Sequence, residues 1–292
     1  MNRFFNRNGF EPKYHRGQDP SVGLLTRALW AGGVLVALGL VSAGAVAAGV
    51  DFCSETARDV GHACRKGASS DFSLALGKCA NLSDPAMRSQ CQKQAAADQN
   101  EAIKTCKDQY DARQAECERL GDAPYDPVID PANFSTSTLI DNPYFPLKPG
   151  TTFIYEGPTA DGLEHRELSV THKTKVILGV TCVEVHDLVK INGKITEDTI
   201  DWFAQATDGN VWYFGENSKQ VADGLIVGLE GTWTGGIDGA KPGIIMEAHN
   251  AVGDFYRQEF SLDTAEDLAE VQSLSESVTV PYGSFNHCLK TL

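Results

Sequence analysis

Six cysteines between positions 53 and 117 are spaced as a near mirror image. Cys53, Cys64, Cys79, Cys91, Cys106 and Cys117 have 10, 14, 11, 14 and 10 residues between them. In a helix of about 100° per residue, a step of 11 overshoots three turns by roughly 20° and a step of 15 overshoots four turns by roughly 60°. The three cysteines of each half therefore share a face. If the chain reverses between Cys79 and Cys91, the pairs that come level are Cys79–Cys91, Cys64–Cys106 and Cys53–Cys117, which makes a helical hairpin stitched by nested disulfides. Six cysteines allow about 15 pairings, and zinc is the other common use of such clusters. Zinc ligands, however, arrive as pairs roughly two to four residues apart, and no two of these cysteines are closer than 11 positions. Disulfides need an oxidising compartment, so the spacing also predicts an exported chain.

The N-terminus points the same way. Arg3, Arg7, Lys13, Arg16 and Arg27 stand against only Glu11 and Asp19, and residues 28–50 are uncharged. Basic then apolar is the pattern of export, and small residues with an Ala-x-Ala site at Ala45 to Ala47 suit signal peptidase. The apolar stretch is also long enough to span a bilayer core of about 30 Å. Residues 1–50 are thus a signal peptide or an N-terminal membrane anchor. Residues 1–48 carry net +3, which leaves −17 on the remainder of a chain whose total is −14. So acidic a chain does not seek nucleic acid or anionic lipid, and the expected membrane contact is through the N-terminal segment alone.

Residues 51–120 are rich in Ala, Gln, Lys, Asp and Glu with a single proline, Pro85. Ser83-Asp84-Pro85 supplies an N-cap followed by proline at the first helical position, where the hairpin needs its second arm to begin. The second arm's cysteine face, Cys91, Ala95, Ala102, Cys106, Tyr110 and Cys117, is a thin seam of mostly small side chains. Gly67 with Ser69-Ser70-Asp71 predicts an interruption of the first arm near residues 67–71. Residues 121–150 hold six of the twelve prolines and form a linker. Phe134, Leu139, Ile140, Tyr144, Phe145 and Leu147 predict that it lies on a surface rather than hanging free.

From residue 151 to 292 the texture is β. Runs rich in Val, Ile, Thr and aromatics alternate with Asp161-Gly162, Asn192-Gly193, Asp208-Gly209, Asp223-Gly224 and Asp238-Gly239. Such dipeptides are what two-residue hairpin turns require. No long amphipathic helix interrupts them. The fold class is therefore α+β: a disulfide-stapled helical hairpin followed by an antiparallel β-barrel or curved half-barrel. Cys182 and Cys288 each fall inside a strand-like run, and a fourth disulfide between them is expected.

Residues 141–157, DNPYFPLKPGTTFIYEG, resemble the entrance to a family of uncharacterised secreted bacterial proteins. KVILGVTCVEV (175–185), DGNVWYFGE (208–216), GAKPGIIM (239–246), VGDFYRQEF (252–260) and SVTVPYGSFNHCLKT (277–291) fit the same family in order. The resemblance implies an exported antiparallel β domain with no assigned reaction and no catalytic residue to carry over. Members continue past the position of Leu292, which leaves full closure of a barrel open.

No catalytic constellation is read from the residues. The histidines stand singly, Gly-x-Ser-x-Gly is absent, and Ser284 is more simply a strand start. Met246-Glu247-Ala248-His249 offers metal ligands that a surface loop explains equally well, and Asp208-Gly209-Asn210 lacks the twelfth-position glutamate of a calcium loop. No metal or cofactor is expected. Trp202-Phe203 and Trp212-Tyr213 alternate, so both strand faces carry large apolar groups, and the second face is either covered or lines a ligand concavity. Trp202, Trp212, Tyr256 and Arg257 are the candidate ligand-binding residues. Three readings follow: a non-catalytic envelope protein whose β domain binds a small apolar ligand or an envelope protein, with the hairpin as spacer or docking arm; a structural or assembly subunit; and an exported enzyme with its site on the β domain.

Overall fold

The computed structural model describes Arg3–Phe5 and residues 51–292, so the signal-peptide or anchor reading of residues 28–50 lies outside the described residues. Among the described residues no helix is long and apolar enough to cross a membrane.

Two antiparallel helices come first, α1 (Phe52–Ala80) and α2 (Pro85–Leu120). Asp51 caps α1 by accepting from the Ser54 N–H at 2.9 Å, and Asp84 caps α2 by accepting from the Met87 N–H at 2.8 Å with Pro85 in the first turn. The three disulfides join the arms in the nested order, with Cα–Cα distances of 5.6, 5.7 and 5.5 Å for Cys53–Cys117, Cys64–Cys106 and Cys79–Cys91. Between them the seam buries Ala57, Gly61, Ala68 and Ala95. The expected interruption near residues 67–71 is absent, and α1 is continuous. Ser69 and Ser73 donate to the carbonyls of Arg65 and Ser69, both at 2.9 Å, so their hydroxyls are satisfied within the helix. The bonds at Cys64 and Cys79 also fix the segment at both ends.

The β region is a half-barrel of antiparallel strands. Its large sheet runs in the order β11 (Glu259–Phe260), β9 (Lys241–Met246), β6 (Val211–Ala222), β5 (Lys194–Gln205), β4 (Val180–Ile191), β3 (Gly162–Ile177), β2 (Thr152–Thr159), with β7 (Leu225–Gly228) and β8 (Trp233–Thr234) pairing on β6. A smaller sheet places β1 (Arg3–Phe5), β13 (Gly283–Thr291), β12 (Leu268–Val280) and β10 (Phe255–Arg257) side by side. Asn192-Gly193, Asp223-Gly224 and Asp238-Gly239 all take positive φ, as the turn dipeptides require. Leu178-Gly179 does so too and makes the β3–β4 turn, although a leucine at φ 51° carries no turn signal in sequence.

Two apolar clusters sandwich the large sheet. The inner one gathers Leu168, Val170, Val183, Val185, Phe203 and Tyr213 from the sheet under Ile140, Phe145 and Leu147 of the linker, with Val271 and Leu289 from the small sheet. The outer one gathers Val180, Cys182, Trp202, Ala204 and Phe214 under Phe134. The linker is thus ordered, as its aromatics predict. Gln205 fastens it, accepting from the Asp141 and Asn142 N–H groups at 3.0 Å and donating to Asp141 Oδ1 at 2.7 Å.

No bond joins Cys182 and Cys288, which corrects the expected fourth disulfide. Both are buried thiols. Cys182 points to the outer cluster beneath Phe134, whereas Cys288 lies in the small sheet opposite Glu276. Alternation along each strand sends them to separate surroundings.

The hairpin is fastened to the β region at its open end. Arg113 grips Glu266 with two hydrogen bonds, Nε at 3.0 Å and Nη2 at 2.5 Å. Against the cost of burial, that grip and the Asp263 N–H hold the Glu266 carboxyl below its ordinary value. Arg119 donates to Glu270 at 2.8 Å and lies 3.7 Å above the Phe255 ring.

Candidate functional site

Cross-strand neighbours share a face, so the ladder registers define rungs across the inner surface. One rung is mostly apolar: Thr174, Val183, Phe203 and Tyr213. The next reads Val170, Val185, Asp201, Glu216 and Trp233. Beyond it come Phe153, Leu168, Asp187, Thr199 and Ser218, then Tyr155, Arg166, Val189, Glu197 and Gln220. The wall therefore grades from apolar to polar along the strands, and its polar side chains are not on the solvent face. Arg166, Asp187, Thr199, Asp201, Glu216, Ser218 and Glu259 are all buried.

Two linked networks occupy this wall. Arg166 clasps Asp187, with Nε donating to Oδ1 at 2.8 Å and Nη2 to Oδ2. Burial disfavours the guanidinium charge, but the hydrogen bond and charge of Asp187, with Asp201 and Glu197 nearby, outweigh it and push its pKa up. The Tyr213 hydroxyl donates to Asp201. Burial first, then the charges of Asp201, Glu216 and Glu259, push that phenol well above its ordinary value. Trp233 Nε1 donates to Glu259 at 2.9 Å, and Thr199 donates to Glu197 at 2.9 Å while its Oγ1 lies 3.1 Å from Ser218 Oγ. Two acidic residues face each other directly where Asp201 opposes Glu216. Tyr213 and Trp233 supply neutral donors to Asp201 and Glu259, and the Arg166 guanidinium is close enough to Asp201 to feel its charge. An ionised carboxylate is acceptor-only and takes about four hydrogen bonds.

The residues singled out from sequence lie elsewhere. Trp202 and Trp212 come together on the outer face, where the Phe134 ring meets Trp212 edge-on at 6.4 Å and Lys175 Nζ sits 3.4 Å from the Trp202 ring centroid. The outer face around them is covered by the linker. Tyr256 packs against the inner cluster. Arg257 faces the rings of Phe260 at 4.9 Å and Tyr125 at 5.6 Å near the base of the hairpin. The structure does not bring the four into one site. Met246-Glu247-Ala248-His249 forms the turn after β9, and burial, then Asp254, push the Glu247 carboxyl up to about 7. Among the described residues no group of three or more His, Cys, Asp or Glu is placed to hold a metal ion.

The wall residues Arg166, Asp187, Asp201 and Glu216 escape motif searching because each stands alone in its strand. A period-two count finds them, since Arg166 is in step with Leu168 and Val170, and Asp187 with Val183 and Val185. No family model matches this chain, and neither a curated protein nor a solved structure does.

Proposed function

We propose that the protein is an exported, non-catalytic binding protein of the cell envelope. The inner wall of the half-barrel takes the cationic or hydroxyl-rich head of a ligand or partner segment. Tyr155, Tyr213 and Trp233 flank its apolar body. The hairpin serves as a rigid spacer or docking arm. The single observation that carries this reading is the grouping of three acids beside Tyr213 and Trp233: Asp201 accepts from Tyr213, Glu259 accepts from Trp233, and Glu216 lies between Asp201 and Trp233 in the ladder. Two of them accept from neutral donors, on a face that also carries the buried Arg166–Asp187 pair. Three disulfides fit the oxidising compartment, and the resemblance to secreted β-domain proteins points the same way.

Native mass spectrometry of the protein purified from its own envelope tests this. The expected result is a retained adduct whose occupancy falls at least tenfold when Asp201→Asn and Glu216→Gln are combined. An adduct that is indifferent to both substitutions, or the bare polypeptide mass in every preparation, refutes it.

A further inference from the structure

The turn ends of three hairpins meet at one end of the large sheet. Asn192 Oδ1 accepts from Leu163 N–H at 3.0 Å, and Lys194 reaches Asp223 at 3.9 Å. The β6–β7 hairpin lies at this end. Its base is clamped by Gln220, which accepts from Glu230 N–H at 3.0 Å and donates to the Glu230 carbonyl at 2.9 Å. Its tip is the turn at Asp223-Gly224, both at positive φ. Beyond the turn, Leu225, Ile226, Val227 and Leu229 are 70, 60, 64 and 57% exposed. A run of three or more exposed apolar residues is otherwise an aggregation hazard and is kept only for use.

We propose that this hairpin is a membrane finger, inserting residues 225–229 into the headgroup–acyl boundary of an uncharged bilayer. This contact would be additional to any made by the N-terminal segment. Alternation sends Leu225 and Val227 to one face of the hairpin and Ile226 to the other, with Ala222 opposite Leu225 and Val221 opposite Ile226. Both faces are apolar. A protein groove would cover one and leave the other wet, whereas a bilayer accepts both. A second copy meets a further obstacle: four side chains fall well short of the roughly 800 Å² per partner that a stable dimer buries. Charge agrees with an uncharged surface. Residues 224–229 carry none, the flanking Lys194 and Asp223 offset each other, and no basic cluster is present in the finger to seek anionic headgroups.

The test uses the full chain with phosphatidylcholine vesicles. In a Val227→Trp variant the added emission should shift to the blue and be quenched by brominated lipid. In the unmodified chain, amide exchange across residues 221–229 should slow at least tenfold when vesicles are added. The proposal is overturned if the added tryptophan stays water-exposed, or if exchange in this hairpin is unchanged by vesicles. It is equally overturned if the shift occurs without vesicles and grows with protein concentration, since a second copy is then the occupant.

Discussion

Reduction should unfold the helical hairpin while leaving the β region standing. The arms bury only small side chains, Ala57, Gly61, Ala68 and Ala95, along their seam. At about 0.8 kcal/mol per buried methyl-sized group, that seam supplies about 2–3 kcal/mol. The disulfides supply more. Because they are nested, each outer bond closes a shorter loop than its sequence separation implies. With Cys64–Cys106 in place, Cys53–Cys117 closes about 24 residues rather than the 65 of its full span, and Cys64–Cys106 closes about 32 around the inner bond. The inner bond closes about 13. Chain-entropy arithmetic gives about 3–4 kcal/mol for each and about 10 kcal/mol together. The seam alone cannot offset that loss. The hairpin's aromatic rings are Phe or Tyr, and three of the four tryptophans, Trp202, Trp212 and Trp233, lie in the β region and none in the hairpin, so the two parts report separately. On titration with reductant, circular dichroism at about 222 nm, where helices absorb through their ordered amides, should fall by most of the helical signal while tryptophan emission keeps its native maximum. Cys53→Ser with Cys117→Ser should destabilise the hairpin by about 3 kcal/mol in urea. Helical signal that survives full reduction, or fluorescence lost in step with it, would show the reasoning to be wrong.

Alkylation after denaturation without reductant should add two labels, at Cys182 and Cys288, while in the native protein under mildly alkaline conditions Cys182 stays unmodified because burial pushes its thiol up to about 12; uptake of no label would reveal a fourth bond. Glu247, raised from 4.5 to about 7 by burial and then by Asp254, contributes stability that is fully present below about pH 4.5 and is lost as pH rises through about 7. Glu247→Gln should therefore stabilise the protein at about pH 8, by about 1–2 kcal/mol once solvent screening is allowed for, and have little effect at about pH 4. Urea melts at the two pH values check the sign. Arg166→Met alone strands Asp187 and should cost about 3–5 kcal/mol, most of it recovered by adding Asp187→Leu; equal losses for the single and double variants would mean the pair is not the buried unit described. Phe134→Ala removes the lid over Trp212 and Phe214 and should cost about 3–5 kcal/mol by thermal melting.

The features legible in sequence are those in which a local signal and the fold agree. Mirror spacing dictates the nested pairs because helix geometry turns a count into a direction. Asp-Gly and Asn-Gly mark turns because few other residues accept positive φ. The bounds of β4 follow from a valine-rich run that ends at the Asn192-Gly193 turn. Where packing overrides a local signal, sequence misleads. Gly67 breaks no helix, since disulfides on both sides hold α1 in register. The strand β9 is hidden because Pro242 and Gly243, residues that ordinarily punctuate a strand, stand inside it. Yet Gly243 is there for close approach, as a Cβ would come within 2.4 Å of the Gln258 backbone. The polar wall is hidden for a different reason: it is assembled from several strands, and no single strand shows the acids grouped beside Tyr213 and Trp233.

That wall is also where local and global demands disagree. A sheet chosen for stability alone would continue Val183, Phe203 and Tyr213 with more apolar rungs, and it would not set Asp201 opposite Glu216, since like charges directly opposed are destabilising. Instead the acids are buried, and Tyr213 and Trp233 hold Asp201 and Glu259 in place through hydrogen bonds. At the β2 edge, by contrast, the polar residues lie where strand alternation expects them, as with the exposed Thr152 and Glu156. A conflict confined to one face, between elements whose other choices are mutually consistent, marks the place where something besides folding has set the sequence. The hairpin shows the contrasting case. Its cysteines look at first like a functional cluster, but they substitute for a core the arms lack, and their removal should loosen the arm without touching the wall.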